Sequence, residues 1–205
     1  EEMKTLSEVK AEMLEKAKGK PLGEYCILSR EGKVVAHSAS PFEHIYTDAE
    51  DLVWAKTQGY ETHEETMDDG RVLTFVQAKV KAQDLYQSAD GGYYTLDALP
   101  ENDDAFVTAW YSETQKVERN QRISDTDDYE RLSDITVQKV ARAKREQLTD
   151  EEKAQVTAYR QALRDWPQVD GFPFVEFPTI PECIAYECET KIEQREAMYE
   201  HKNFA

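Results

Sequence analysis

Four histidines and three cysteines are the residues of this chain best suited to metal or nucleophile chemistry. His44 and His63, with Glu64 and Glu65 beside the second, could meet around a divalent ion. Their spacing matches no helix-borne ligand pattern of the His-Glu-x-x-His kind, so they read, with His37 and His201, as surface histidines and no metal site is assigned. Cys26, Cys183 and Cys188 neither pair evenly nor show a Cys-x-x-Cys spacing, which fits packing residues or free thiols in a reducing compartment. A nucleophile elbow, a phosphate loop and a dinucleotide-binding turn are all missing, and Gly91-Gly92 is an isolated turn pair. The acid pairs Asp68-Asp69, Asp103-Asp104 and Asp127-Asp128 read as turn or cap chemistry. No catalytic residue and no cofactor are assigned, and the chain is read as a non-enzyme. An unrecognised active site would need a deep pocket with convergent polar side chains.

Recognition chemistry is better represented. The chain has 11 Tyr, 7 Phe and 3 Trp, and Trp166, Phe172, Phe174 and Phe177 fall in a stretch where proline recurs. Aromatic anchors beside proline suit protein interfaces, because they bury large area while losing little conformational freedom. Arg160 and Arg164, one turn apart, could make charge-assisted bonds to a partner carboxylate or stand as a solvated helix face.

These residues need a helix and an arm to position them. Thr149 and Glu152 form a capping box, so a helix starts at Asp150. Val156, Tyr159, Leu163 and Trp166 then put one apolar stripe on it, and Pro167 stops it. The apolar run that follows, with Pro173, Pro178 and Pro181, can be neither helix nor central strand, because each proline lacks the amide a ladder needs. It is expected to lie extended along a surface.

A helix reading Tyr159-Arg160 … Leu163-Arg164-Asp165, then Gly171-Phe172-Pro173, Phe177-Pro178 and Pro181-Glu182, resembles the C-terminal signature of the phage tail assembly chaperone family, also called tail fibre assembly proteins. The resemblance covers residues 148–182. The usual pattern ends in a Trp-Pro step near the terminus, whereas here Phe177-Pro178 is followed by a tail to Ala205. The resemblance implies a bacteriophage protein of virion assembly that binds tail fibre or another tail protein during folding or trimerisation. The helix and arm would be the partner-binding element, through Tyr159, Arg160, Leu163, Arg164, Trp166, Phe172, Phe174 and Phe177. A structural component of the tail or baseplate that docks through the same module is the alternative.

The rest of the chain reads as an α+β fold. Met3, Leu6, Val9, Met13, Leu14 and Ala17 mark an amphipathic helix over residues 1–19, closed by Gly19 and Pro21. A small hairpin-rich domain follows over 20–104. Its hairpins turn at 30–33 and 68–70, the second reaching Lys81 and drawing on Val80, and a short helix capped by a Thr47–Glu50 box lies between them. Residues 93–99 read as a last strand. Residues 105–117 fit strand or helix equally. The spacing predicts a long helix from 125 to 147, pairing with the helix at 150 as a helical hairpin, so that 105–182 forms a helical half ending in a proline-rich extended arm. Residues 183–205 are read as a tail with a helix capped at Thr190 and Glu193 and frayed at its end.

With 42 acids against 25 bases the net charge is −17, which argues against a nucleic-acid partner and favours a basic or neutral protein. At 40% hydrophobic and 33% charged residues, with no apolar run near the roughly 20 residues of a membrane span, the chain reads as an acidic soluble protein without a membrane partner. No secretory leader is read at its start. Host cytoplasm is the expected location, with the virion tail as the alternative, and self-association stays open.

Overall fold

The computed structural model describes residues 3–19, 22–78 and 85–202. Pro21, Val80 and Lys81 of the sequence reading lie outside these residues, as do the side chain of His201 and the end of the tail at 203–205. The fold is α+β with small antiparallel sheets and a helical C-terminal half. The chain splits into two compact units, Thr5–Thr108 and a second that begins at Ala109.

The first unit opens with α1 (Leu6–Lys18), and its N-terminus is a capping box the sequence reading did not identify. Glu8 N donates to Thr5 Oγ1 at 3.3 Å and Thr5 N donates to Glu8 Oε2 at 2.8 Å. Strands β1 (Tyr25–Leu28) and β2 (Val34–Ser38) form the first expected hairpin. Its turn glycine, Gly32, has φ +83°, and a Cβ there would lie 2.6 Å from Thr95 Oγ1. Only glycine therefore admits the Thr95 N to Gly32 O bond of 2.9 Å that ties this hairpin to the last one.

An unexpected two-residue strand, β3 (Glu43–His44), joins β4 (Thr62–Thr66) and β5 (Val72–Gln77) in the order β3-β5-β4. Between β3 and β4, α2 (Ala49–Thr57) is capped by Asp48 rather than by Thr47. Asp48 Oδ1 accepts from Glu50 N at 2.8 Å and from Asp51 N at 3.3 Å, so the carboxylate one residue on takes the cap role. Strands β6 (Leu85–Gln87) and β7 (Tyr93–Thr95) close the unit as a third hairpin. The core is divided among small groups, among them Ile27, Tyr46, Ala55 and Val76 between the sheets and α2, and Ala17, Tyr94 and Leu99 under α1.

The second unit departs further from the sequence reading. Residues 105–117 are helical, within α3 (Asp104–Asp125). The predicted long helix from 125 to 147 does not form: it is replaced by α4 (Asp127–Arg131) and a short hairpin of β8 (Thr136–Val137) and β9 (Glu146–Gln147). Ile135-Thr136-Val137 is a β-branched run, which loses side-chain freedom in a helix and favours strand. Arg142, at φ +60°, makes the turn between the strands. The expected helical hairpin is thus helix, β-hairpin, helix. After α5 (Asp150–Asp165), the last helix, α6 (Glu182–Lys202), begins eight residues before the predicted Thr190 cap. Thr190 lies mid-helix and its hydroxyl donates to Tyr186 O at 2.7 Å.

One core unites these elements. Tyr129, Val137, Leu148, Val156, Tyr159, Leu163, Cys183, Ile184 and Cys188 are all buried together. The tail after residue 182 supplies three of them, so it is part of the core of this unit.

Candidate docking surface of the helical unit

The capping box at α5 forms as its sequence requires, with Glu152 N to Thr149 Oγ1 at 3.2 Å and Thr149 N to Glu152 Oε2 at 2.8 Å. The Glu152 carboxylate also takes the Lys139 ammonium from the loop before β9. That ion pair, with the Thr149 amide, holds the carboxyl below the ordinary glutamate range. From this fixed start the apolar stripe turns inward: Val156, Tyr159 and Leu163 are each at most 5% exposed. Burial pushes the Tyr159 phenol up to about 12.

Arg160 turns inward with them. At 4% exposure it is among the few buried charges. Its guanidinium donates to Ile123 O at 2.8 Å, Thr126 Oγ1 at 2.6 Å and Asp127 Oδ1 at 2.9 Å, and lies 3.0 Å from Glu130 Oε2. It thus satisfies the open carbonyl end of α3 and pins α4 beside it. Neither expectation for Arg160, a partner contact or a solvated face, fits this geometry, because every one of these partners is in the same chain. Arg164, one turn on, is exposed.

The arm is folded back on itself rather than extended. Trp166 is 2% exposed, its ring stacked on Phe177 at 3.9 Å between centroids and edge-on to Phe172 at 5.0 Å. Its Nε1 donates to Glu176 O at 2.8 Å, which closes a loop of ten residues onto the helix end. Gly171 at φ +86° and a cis Phe172-Pro173 bond turn the chain within that loop. On the α3 side, Arg122 lies over the Phe177 ring at 3.9 Å and Tyr111 stacks on Phe174 at 5.3 Å. Phe172, Phe174 and Phe177 stay half-buried, and Val169 at the loop tip is 48% exposed.

Of the eight residues singled out from the sequence, Tyr159, Arg160, Leu163 and Trp166 are interior, and Phe172, Phe174, Phe177 and Arg164 reach the surface in whole or part. The tail is locked by residues outside this set. Tyr129 Oη donates to Glu187 Oε2 at 2.5 Å and Gln138 N to Glu187 Oε1 at 2.8 Å. Arg195 reaches Asp125 at 2.6 Å and Glu118 at 3.0 Å. In so charged a chain Glu187 and Arg195 carry no local signal, since the partners just named lie 49 to 77 residues away.

The chemistry elsewhere is modest. A solvent-open cleft of about 470 Å³ is lined by acids including Asp125, Asp127 and Glu130, with Lys191. The three acids named are the ones already engaged by Arg195 and Arg160. His63, in the first unit, sits 3.3 Å from both Glu43 and Glu65, and His44 lies edge-on to Tyr46. Glu64 does not join them, and no group of three or more candidate ligands able to hold a metal occurs among the described residues. All three cysteines are buried free thiols, and burial pushes Cys188 up to about 11. No helix among the described residues is long and apolar enough to cross a membrane.

Residues 112–182 match the phage tail assembly chaperone protein family. The matched stretch, about a third of the chain, begins inside α3 and ends at the first residue of α6. It therefore takes in Arg122, the α4 and β8–β9 region, α5 and the folded arm, and extends the likeness well upstream of the 148–182 signature. The first unit lies outside it, and so do the α6 residues that complete the core. No curated protein and no solved structure matches the chain.

Proposed function

We propose that this protein is a non-enzymatic tail assembly chaperone that binds tail fibre protein while the fibre chains fold or trimerise in the host cytoplasm. The observation that carries this reading is the family match over residues 112–182, a stretch that supplies most of the buried core of the helical module. The family supports a role in tail assembly; the fibre as client is the specific step proposed. A fibre folds slowly into β-rich structure and exposes apolar surface meanwhile, and a chaperone acts by covering that surface.

The client would meet the arm side of the module. Arg164 and Val169 are exposed there, and Phe172 and Phe174 show half-buried ring surface. Tyr159, Arg160, Leu163 and Trp166 hold this surface from beneath. A net charge of −17 favours a basic or neutral client.

Co-expression with the phage's tail fibre, followed by affinity capture and mass spectrometry of mature particles, tests the reading. A complex in the lysate with no copy in particles supports it, and Val169→Glu and Arg164→Glu should each weaken capture several-fold without loss of helix content. A fixed copy number in particles would instead make the module a docking element of the tail or baseplate.

A further inference from the structure

In this strongly acidic chain one helix face is almost uncharged. Of the eight exposed positions of α3 between Ala109 and Ser124, only Glu113 carries a charge, and Lys116 neutralises it at 2.6 Å. Trp110 and Val117 are 42% and 66% exposed on this face, although both are large and apolar. At 100° per residue the eight positions span an arc of about 140°, centred near Val117. The arm contacts, Tyr111 and Arg122, lie about 120° to 140° round the helix from Val117, so this face is distinct from the one proposed for the client.

The face repeats every seven residues, with Trp110, Val117 and Ser124 in one row and Thr114 and Gln121 in the next. Only Trp110 and Val117 in these rows are apolar, so the face is a short apolar patch flanked by uncharged polar side chains rather than a full heptad seam. The repeat is also complementary to itself when reversed. With Val117 on a twofold axis, the large Trp110 opposes the small Ser124 of a second copy, Glu113 opposes Gln121, and Thr114 opposes Asn120. Each polar pair then joins groups that can hydrogen-bond, and no like charges meet. A basic client finds no carboxylate here beyond the one already neutralised, whereas a second copy of a −17 chain can approach closely only where its charge is absent.

We infer that α3 is the contact between two copies of this chain, paired antiparallel about Val117. A contact two heptads long falls near the low end of specific interfaces, about 1,000 Å², so the dimer is expected to be a weak one. The proposal adds a partner to the chaperone reading without depending on which client that reading names.

Sedimentation velocity of the full chain across a concentration series up to about 100 µM tests it. The expected result is a concentration-dependent dimer. Val117→Lys places two like charges on the axis and should raise the dissociation constant at least about tenfold, with unchanged circular dichroism because the site is exposed. Val117→Cys, oxidised with diamide, should give a disulfide-linked dimer, while Glu151→Cys at an exposed site on α5 should not. A wild-type chain that stays monomeric, or a dimer indifferent to Val117→Lys, overturns the inference. Fibre capture is read in the same samples. A monomeric wild type that captures fibre overturns self-pairing alone, and capture lost in Val117→Lys from such a monomer assigns the face to the client.

Discussion

The Trp166 indole lies on the Phe177 ring with centroids 3.9 Å apart and planes inclined by 27°, and Arg122 sits over the same phenylalanine. The end of α5 and the arm that follows it are thereby joined to the distant α3 at this one stack. Residues inside the family-matched stretch therefore hold the arm in shape, and only the outer surface of that clasp is left exposed.

Trp166→Ala should lower the unfolding free energy by about 3–5 kcal/mol, as expected for truncating a fully buried tryptophan. It also leaves Glu176 O without its donor. Denaturant titration followed by circular dichroism measures this. A loss below about 1 kcal/mol would mean that the arm is only loosely laid down.

Ending the chain at residue 182 should abolish cooperative unfolding of the helical unit, although the family match stops there. The truncation uncovers Tyr129, Val156, Tyr159 and Leu163 and removes Cys183, Ile184 and Cys188 from their core. The milder Ile184→Ala should cost about 2–5 kcal/mol while leaving the fold intact. Amide dispersion in proton–nitrogen spectra distinguishes the two.

Arg160→Met keeps the side chain's apolar stem but takes the guanidinium donor from Thr126 Oγ1 and one of three donors from Ile123 O, which keeps Thr126 N and Oγ1. Asp127 and Glu130 keep access to water, so no buried charge is stranded, and the expected loss is about 1–3 kcal/mol. A client-binding role alone would instead leave the denaturation midpoint unchanged and lower only fibre capture.

Alkaline solution should destabilise the helical unit. Burial raises the Cys188 thiol from 9.0 to about 11 and the Tyr159 phenol from 10.0 to about 12. Both groups are therefore held neutral in the fold and ionise more easily when unfolded. Their contribution is complete below about pH 9 and is lost as pH rises through about 11 to 12. Urea midpoints measured from pH 7 to 11 should fall above pH 9, and Cys188→Ala should flatten the first part of that fall.

Much of the local structure was legible in the residues because its causes are local. The Thr149–Glu152 box, the stripe of Val156, Tyr159 and Leu163, and the Asp68-Asp69-Gly70 turn each follow from side chains a few positions apart. The family signature was legible for the same reason, since it is a short run of types at fixed spacing. Where local preferences conflict, the residues alone misled: helical spacing over 125–147 competed with the β-branched run at 135–137, and the strand pairing prevailed.

Only the tertiary structure decided which way the recognised residues face. An arginine at 160 is compatible with solvent or interior until Ile123, Thr126 and Asp127 are brought to it from more than 30 residues away. The arm likewise reads as extended because proline cannot join a ladder, and nothing local says that Trp166 will close it through Glu176 O. Burial is a property of long-range packing, so sequence determined the helix, the turn chemistry and the likeness to the family. The packing of α3 and α6 around them determined what is core and what is left for a partner.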